Sequence, residues 1–441
     1  MESLGAEYMI RPVSLSLILL ISASAEALAQ TDYSGTWEVA VREFGQKNHY
    51  LPMVDGRLRV EQREGRYIAT YNDRALFSGT LEKDGLHLTC QDNGTACGEL
   101  VLRSSGGQLT GGGALQTLPV TLVGKRPATR PGAVKVHEFN PQKFYNAFSG
   151  ATPPALRIFP GDSVKTHTLD SRGFDKDGKP RAPRGNPQTG PFYVEGAMPG
   201  DTLVVHLDRV RTNRDTAYQS NLISSNALEP GYLRELAKFE SGFTQWKIDA
   251  AAGVATIINP SSRLSAYQVK LEPMLGCVGV APPRDEVFGS GHLGPYGGNL
   301  DSSQVREGAT IYLPVFQPGA LLFIGDAHAQ QGDGELPGQG LETSMDVQFT
   351  VDVIPGKAGG QARVENSDFM MIMGTGVTLD AAMKSATTEM SRWLTTTHQL
   401  TPQDIAAFLG TAMQYEIAEV VDAEYNVVAK VRKDTLAQIR K

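Results

Sequence analysis

Three things are scarce in this 441-residue chain, and each scarcity closes off a class of protein. Cysteine occurs three times, enough for one internal disulfide. Basic residues are outnumbered, 41 Lys+Arg against 48 Asp+Glu, so there is no cationic excess to meet the phosphates of a nucleic acid. No internal apolar run reaches the roughly 18 residues that a membrane-spanning helix needs. What remains is ordinary globular matter, 41% hydrophobic and 20% charged, with 47 glycines and 25 prolines pointing to short strands joined by many turns. Membrane channel, coiled coil and disordered tail are excluded. At roughly 150 residues per domain, the length suggests about three structural units.

The first unit reads as an export signal. Arg11 supplies the positive start, Val13 to Ile21 the apolar stretch, and Ala27-Leu28-Ala29 the small-residue cleavage site. Residues 1–29 are therefore expected to be a signal peptide cut after Ala29, giving a periplasmic or secreted protein with no membrane attachment after cleavage. Export permits disulfides. Cys90 and Cys97 flank the turn-rich loop Gln91 to Ala96 and are the expected pair, whereas Cys277, in the apolar run Leu275 to Val280, reads as a small core residue rather than a nucleophile.

Residues 30–127 form an expected accessory domain. Arg57 to Gln62, Tyr67 to Tyr71, Leu86 to Thr89 and Val120 to Val123 show strand-like period or β-branched content between turns, which fits a small antiparallel β-barrel or sandwich. The glycines around Ser104 to Gly107 and Gly111 to Gly113 read as exposed hairpin turns. A proline-bearing linker, Lys125 to Gly132, leads to a second unit over 133–441 that is α+β and mainly β. Its strand candidates include Val164–Leu169, Phe192–Glu195, Asp201–Leu207, Thr310–Val315, Ala320–Ile324, Asp346–Val353 and Tyr425–Val431. Helical spacing appears from Leu379 to Thr396, and Thr401-Pro402-Gln403-Asp404 opens a second helix with a cap, a first-turn proline and an acid at the positive dipole end.

Four segments carry more acid, amide and glycine than strand ends need. In Gly325 to Glu335, Asp326 and His328 share a strand face, and Asp333 and Glu335 repeat that spacing around Gly334. A carboxylate and an imidazole converging in this way hold divalent metals, zinc among them. Gly294 to Asp301 offers Asn299 and Asp301 on one face. Val164 to Asp170 favours Asp170 over His167 as a ligand. Glu195 closes an apolar strand and is a candidate general base. The other histidines (His49, His87, His137, His206, His292 and His398) lack comparable surroundings.

Together with Gly276 to Pro282, Gly308 to Val315, Pro318 to Glu335 and Ile417 to Asp422, these strings resemble the acetamidase/formamidase family of metal-associated amidases. The resemblance covers about 300 residues from Val134 to Lys441 and leaves residues 30–127 outside it. It implies hydrolysis of short linear amides to ammonia and a carboxylate, by a mainly β unit with a small α/β C-terminal part, in a homo-oligomer. The expected site assigns Asp170, Asp301, Asp326 and His328 to a divalent ion, zinc by preference. Glu195, Asp333 and Glu335 are the base and acid candidates, and Asn299 a contact to the amide substrate or its oxyanion. Two other readings stand beside this one: a hydrolase of another C–N bond, in an acylated amine or small peptide, and a non-catalytic periplasmic binding protein whose N-terminal module grasps a ligand. The density of acids and His between Asp326 and Glu335 favours the enzyme.

Overall fold

A computed structural model describes residues 32–43, 55–72, 75–92, 95–115, 118–284 and 286–440. The expected signal segment, 1–29, lies outside the described residues. Among those residues no helix is long and apolar enough to cross a membrane.

Eight antiparallel strands between Gly35 and Lys125 close into a barrel, because the first strand, Gly35–Glu43, pairs with both the second, Gly56–Arg63, and the last, Leu118–Lys125. The two-residue period decides what goes inside. Leu58 and Val60 are buried while Arg59 and Glu61 point out, and Leu86, Leu88, Leu102, Leu109 and Leu122 fill the interior with Trp37. A barrel of this size is just wide enough to be filled by its own side chains. Trp37 donates from Nε1 to the Tyr33 carbonyl at 2.8 Å, and the Arg126 guanidinium lies 3.7 Å over its ring. Cys90 and Cys97 form the expected disulfide, with Cα atoms 5.1 Å apart. Gly106 and Gly107 make a hairpin turn, but Gly111–Gly113 lie within the strand Gln108–Leu115 instead of a turn. A Cβ on Gly113 would sit 2.0 Å from the Glu99 carbonyl, so close strand approach, not turn geometry, requires glycine there.

The linker is pinned, not loose. The buried Asp162 carboxylate accepts from Arg130 Nη1 at 2.5 Å, the Lys135 N–H at 2.9 Å, His137 Nε2 at 3.0 Å and the Phe159 N–H at 3.0 Å. Burial alone would raise its pKa, but these hydrogen bonds hold the carboxyl well below the usual range.

Two larger sheets, of nine and six strands, follow, and one hydrophobic core draws residues from both. Strand Thr202–Thr212 pairs with Met345–Ile354 inside the larger sheet and contributes Leu203, Val205 and Leu207 to that core. In the smaller sheet, Leu322–His328 runs antiparallel between Thr189–Val194 and Met274–Gly279, and all seven of its residues are buried. A strand covered on both faces must be apolar along its length, as Leu322-Phe323-Ile324 is; Asp326 and His328 break that rule at its end. The helix Leu379–His398 lays Ala382, Ala386, Met390 and Leu394 against the larger sheet, and Pro402–Ala412 starts with a Thr401/Asp404 capping box.

Barrel and second unit meet at a buried ion pair. Arg57 donates to both carboxylate oxygens of Asp201, at 3.0 and 2.9 Å, and to the Gly196 carbonyl at 2.9 Å. Asp201 also accepts the Met198 and Gly356 N–H groups, each at 2.9 Å. Removing the guanidinium leaves a buried acid without its cation, which costs about 3–5 kcal/mol. Arg57→Ala is expected to loosen the barrel, seen as faster limited proteolysis within residues 126–133 and an earlier, separate thermal transition. A single unshifted transition with wild-type cleavage rate would refute this docking role.

Candidate metal centre

Strand Leu322–His328 carries Asp326 and His328 into a space that three other segments also enter. Pairing with Met274–Gly279 matches Cys277 to Gly325 and Leu275 to Ala327 in one register but leaves Gly276 and Asp326 out of the ladder, where Asp326 takes a left-handed φ of 53°. Both side chains reach one place: His328 Nε2 is 3.6 Å from Asp326 Oδ1. Asp301 arrives from the turn after Gly297–Asn299, itself at φ 38°. Clearance comes from Gly276, where a Cβ would lie 2.4 Å from Asp301 Oδ1 and 2.9 Å from Asp326 Oδ2. Asp301, Asp326 and His328 each offer a ligand atom within 4.8 Å of the others, and so do His328, Glu335 and Glu342.

Glu342, which the sequence did not single out, is held by backbone pairing with Tyr218 and puts Oε1 3.0 Å from His328 Nε2. Glu335 enters from a short turn, Asp333–Glu335, in which Gly334 has φ 80° and Glu335 φ 48°. That reversal separates the two acids expected to act together: Glu335 is 5% exposed and faces the cluster, whereas Asp333 is exposed.

Three more expectations are corrected by where the side chains go. Asp170 is buried but spoken for. Its Oδ1 accepts the Arg172 and Phe174 N–H groups at 3.0 and 2.9 Å, and its Oδ2 pairs with Arg214 at 2.9 Å, so it closes a turn instead of binding an ion. Glu195 pairs with Arg157 at 2.6 Å and belongs to neither group of ligand atoms. It belongs to the surroundings of the barrel contact. Asn299 is inside the site but saturated: Nδ2 donates to Asp301 and Asp422, and Oδ1 accepts from Cys277 Sγ at 2.9 Å and Asn186 Nδ2 at 3.2 Å. It braces acids and has no hydrogen left for a substrate. Cys277 is fully buried, as a core residue would be, and burial pushes its thiol pKa well up, away from nucleophilic chemistry.

Asn186, Gln331 and Asp422 complete the surroundings, and none of them was assigned a role from sequence. Asn186 Nδ2 donates to Asp326 Oδ2 at 2.7 Å. Gln331 is 2.8 Å from His328 Nδ1. An amide side chain gives no local signal of this kind, although Gln331 and Asp422 lie in strings that carry the family resemblance.

The decisive feature is what has no partner. Asp301 Oδ1, Asp326 Oδ1, His328 Nε2 and Glu342 Oε2 are buried without a well-formed hydrogen bond, although Glu342 Oε1 approaches Nε2 to 3.0 Å. Buried polar atoms are normally satisfied, and four exceptions among the two ligand groups that share His328 fit an ion. Burial, together with the neighbouring Glu335 and Asp326 charges, pushes Asp301 well up; burial first also raises Glu335 and Glu342. His328 is raised despite burial, because Glu342 and Asp326 favour its cation.

The acetamidase/formamidase family model matches residues 134–288 and 295–432. The chain belongs to the acetamidase/formamidase family. Among solved structures it is similar to a predicted acetamidase/formamidase from Thermoanaerobacter tengcongensis, with a TM-score of 0.60 and 28% identity over 69% of this chain and 98% of that one. It is 23% identical to a formamidase of Methylophilus methylotrophus over 44% of this chain, and it spans about 60% of that relative's length. A 75-residue stretch is 39% identical to an acetamidase of Mycolicibacterium smegmatis, 17% of this chain and 18% of that one. The barrel lies outside the family match.

Two predictions follow from this geometry. Gly276→Ala should displace Asp301 and Asp326 and lower divalent-ion affinity at least about tenfold, with an overpacking cost of about 1–3 kcal/mol; unchanged affinity by titration would show that the acids need no such clearance. The second concerns Glu419, whose Oε1 accepts the Val421 and Asp422 N–H groups at 2.8 and 2.5 Å. Burial raises its pKa to about 7 from an ordinary 4.5. Between those values the folded protein binds more protons than the unfolded chain, so stability falls as pH rises through this window. Glu419→Gln cannot ionise, and its Tm should drop less than wild type between pH 5 and pH 8. Equal drops would sink the assignment.

Proposed function

We propose that this protein is a hydrolase of linear, non-peptide amide C–N bonds, releasing ammonia or an amine and a carboxylate, and that it works with a divalent ion. The observation that carries the reading is the set of four unpartnered ligand atoms on Asp301, Asp326, His328 and Glu342. Family membership and the names of its relatives support the reaction class. One imidazole among carboxylates suits zinc, which is the ion of choice here. A bound ion would polarise the amide carbonyl and lower the pKa of a water toward neutrality.

The residues of the chain then divide the remaining work. Asp301, Asp326, His328 and Glu342 would hold the ion; Asn186 and Asn299 keep Asp326 and Asp301 in orientation by hydrogen bonds. Glu335 is the general base. Its carboxyl is buried, and burial raises its pKa, which suits a group that must accept a proton and then release it. As the water oxygen bonds to the carbonyl carbon, Glu335 accepts its proton. When the C–N bond breaks, the nitrogen leaves with the bonding electron pair and Glu335 returns the proton to it.

Export after Ala29 and assembly into a homo-oligomer belong to the same proposal. The signal-like N-terminus and the Cys90–Cys97 disulfide support the first, and the family resemblance supports the second.

The test is elemental analysis of the protein beginning at Gln30, alongside ammonia release from short amides. Stoichiometric zinc or another divalent ion is expected. Glu335→Gln should keep the ion and lose about 10²–10⁴-fold in kcat, whereas His328→Ala should lose both ion and activity. Ammonia release by a metal-free His328→Ala protein at wild-type rate would refute the reading.

A further inference from the structure

We propose that Gln331 is a positioning residue that fixes which nitrogen of His328 is offered to the ion, an inference that rests on the metal reading above. Gln331 is 7% exposed and its side-chain amide touches three segments. Its Nε2 lies 2.5 Å from the Asp301 carbonyl oxygen and 3.2 Å from that of Ala418. Carbonyl oxygens only accept, so the atom facing them must be the amide nitrogen. The other terminal atom is then the amide oxygen, 2.8 Å from His328 Nδ1, and it too can only accept. Nδ1 therefore carries a hydrogen whether or not the ring is charged.

The consequence falls on the opposite side of the ring. In the neutral imidazole the lone pair is on Nε2, the atom 3.0 Å from Glu342 and 3.6 Å from Asp326. The other tautomer would aim an N–H at the ion and repel it. Packing seconds the choice: a Cβ on Gly340 would lie 2.5 Å from Nδ1, leaving little room there for another partner. The hydrogen bonds to Asp301 and Ala418 also make the position of Gln331 depend on the turn that supplies Asp301 and on the end of strand Gln414–Glu419. One amide thus sets the tautomer of one ligand and ties it to the backbone of another.

The experiment follows the ring nitrogens of ¹⁵N-histidine-labelled protein by NMR, without and with added zinc, and measures zinc affinity against a chelator. Wild type is expected to show an exchange-protected proton on His328 Nδ1 in both states. Gln331→Met, which removes the acceptor, should lose that proton and bind zinc about 10–100-fold more weakly. Gln331→Glu restores an acceptor opposite Nδ1 while losing the donors to the two carbonyls; the proton and most of the affinity should return. A merely structural role would weaken both variants alike and leave the ring proton in place. Zinc uptake by wild type together with unchanged affinity in Gln331→Met, or a wild-type ring with no proton on Nδ1, would overturn this proposal alone. A wild-type protein that takes up no zinc, with the Nδ1 proton present, would instead overturn the metal reading on which it rests.

Discussion

Burial without pairing is the condition around which the second unit is organised. Acids and an imidazole are drawn together in the interior, and Asp301 Oδ1, Asp326 Oδ1, His328 Nε2 and Glu342 Oε2 have no well-formed hydrogen bond there. A low-dielectric interior makes each unpaired carboxylate costly, so the surrounding scaffold must hold them against their own repulsion. It does so with rigid means: a central strand buried along its length, a glycine at position 276 where a side chain would collide, and left-handed backbone at Asp301, Asp326 and Glu335. Backbone outliers of that kind cost about 1–3 kcal/mol each and cluster where function needs them. A divalent cation, as proposed, would reconcile these costs by turning mutual repulsion into shared coordination.

The hydrogen bonds around the acids have a common logic. Asn186, Asn299 and Gln331 are amides with both donors and acceptors, and each is used to fix an ionisable group whose other side is left bare. Neutral side chains can do this without adding charge to a space already short of cations. The division also explains why Asn299, in the centre of the site, is no substrate contact: every hydrogen-bonding position it has is engaged with the chain itself.

The barrel stands apart from this chemistry. Its interior is filled, its outside is joined to the second unit through Arg57 and Asp201, and the strand Thr189–Val194 runs between that joint and the site. It adds a module to the family's unit without lending a residue to the cluster. Glu195 shows how this misleads a linear reading: an acid closing an apolar strand looks like a base, yet its carboxylate is taken by Arg157 and it lies in neither ligand group.

Whatever local physics controls could be read along the chain. The alternation of apolar and polar residues made the barrel strands legible, the cap at Thr401 and the spacing from Leu379 gave both helices, and the chain between Cys90 and Cys97 was short and turn-rich enough to close a disulfide. Asp326 and His328, two apart at the end of one strand, were likewise visible as a pair. Which acids joined them was settled by packing between distant elements. Asp333 and Glu335 are also two apart, but positive φ at Gly334 and Glu335 turned one outward and one in. Asp170 was removed by Arg214, 44 residues away, and Glu342 was admitted by pairing with Tyr218, more than a hundred residues earlier. Periodicity reports which face a residue occupies within its own element. Which charges share one buried space depends on contacts between elements far apart in the chain, and no local pattern records those.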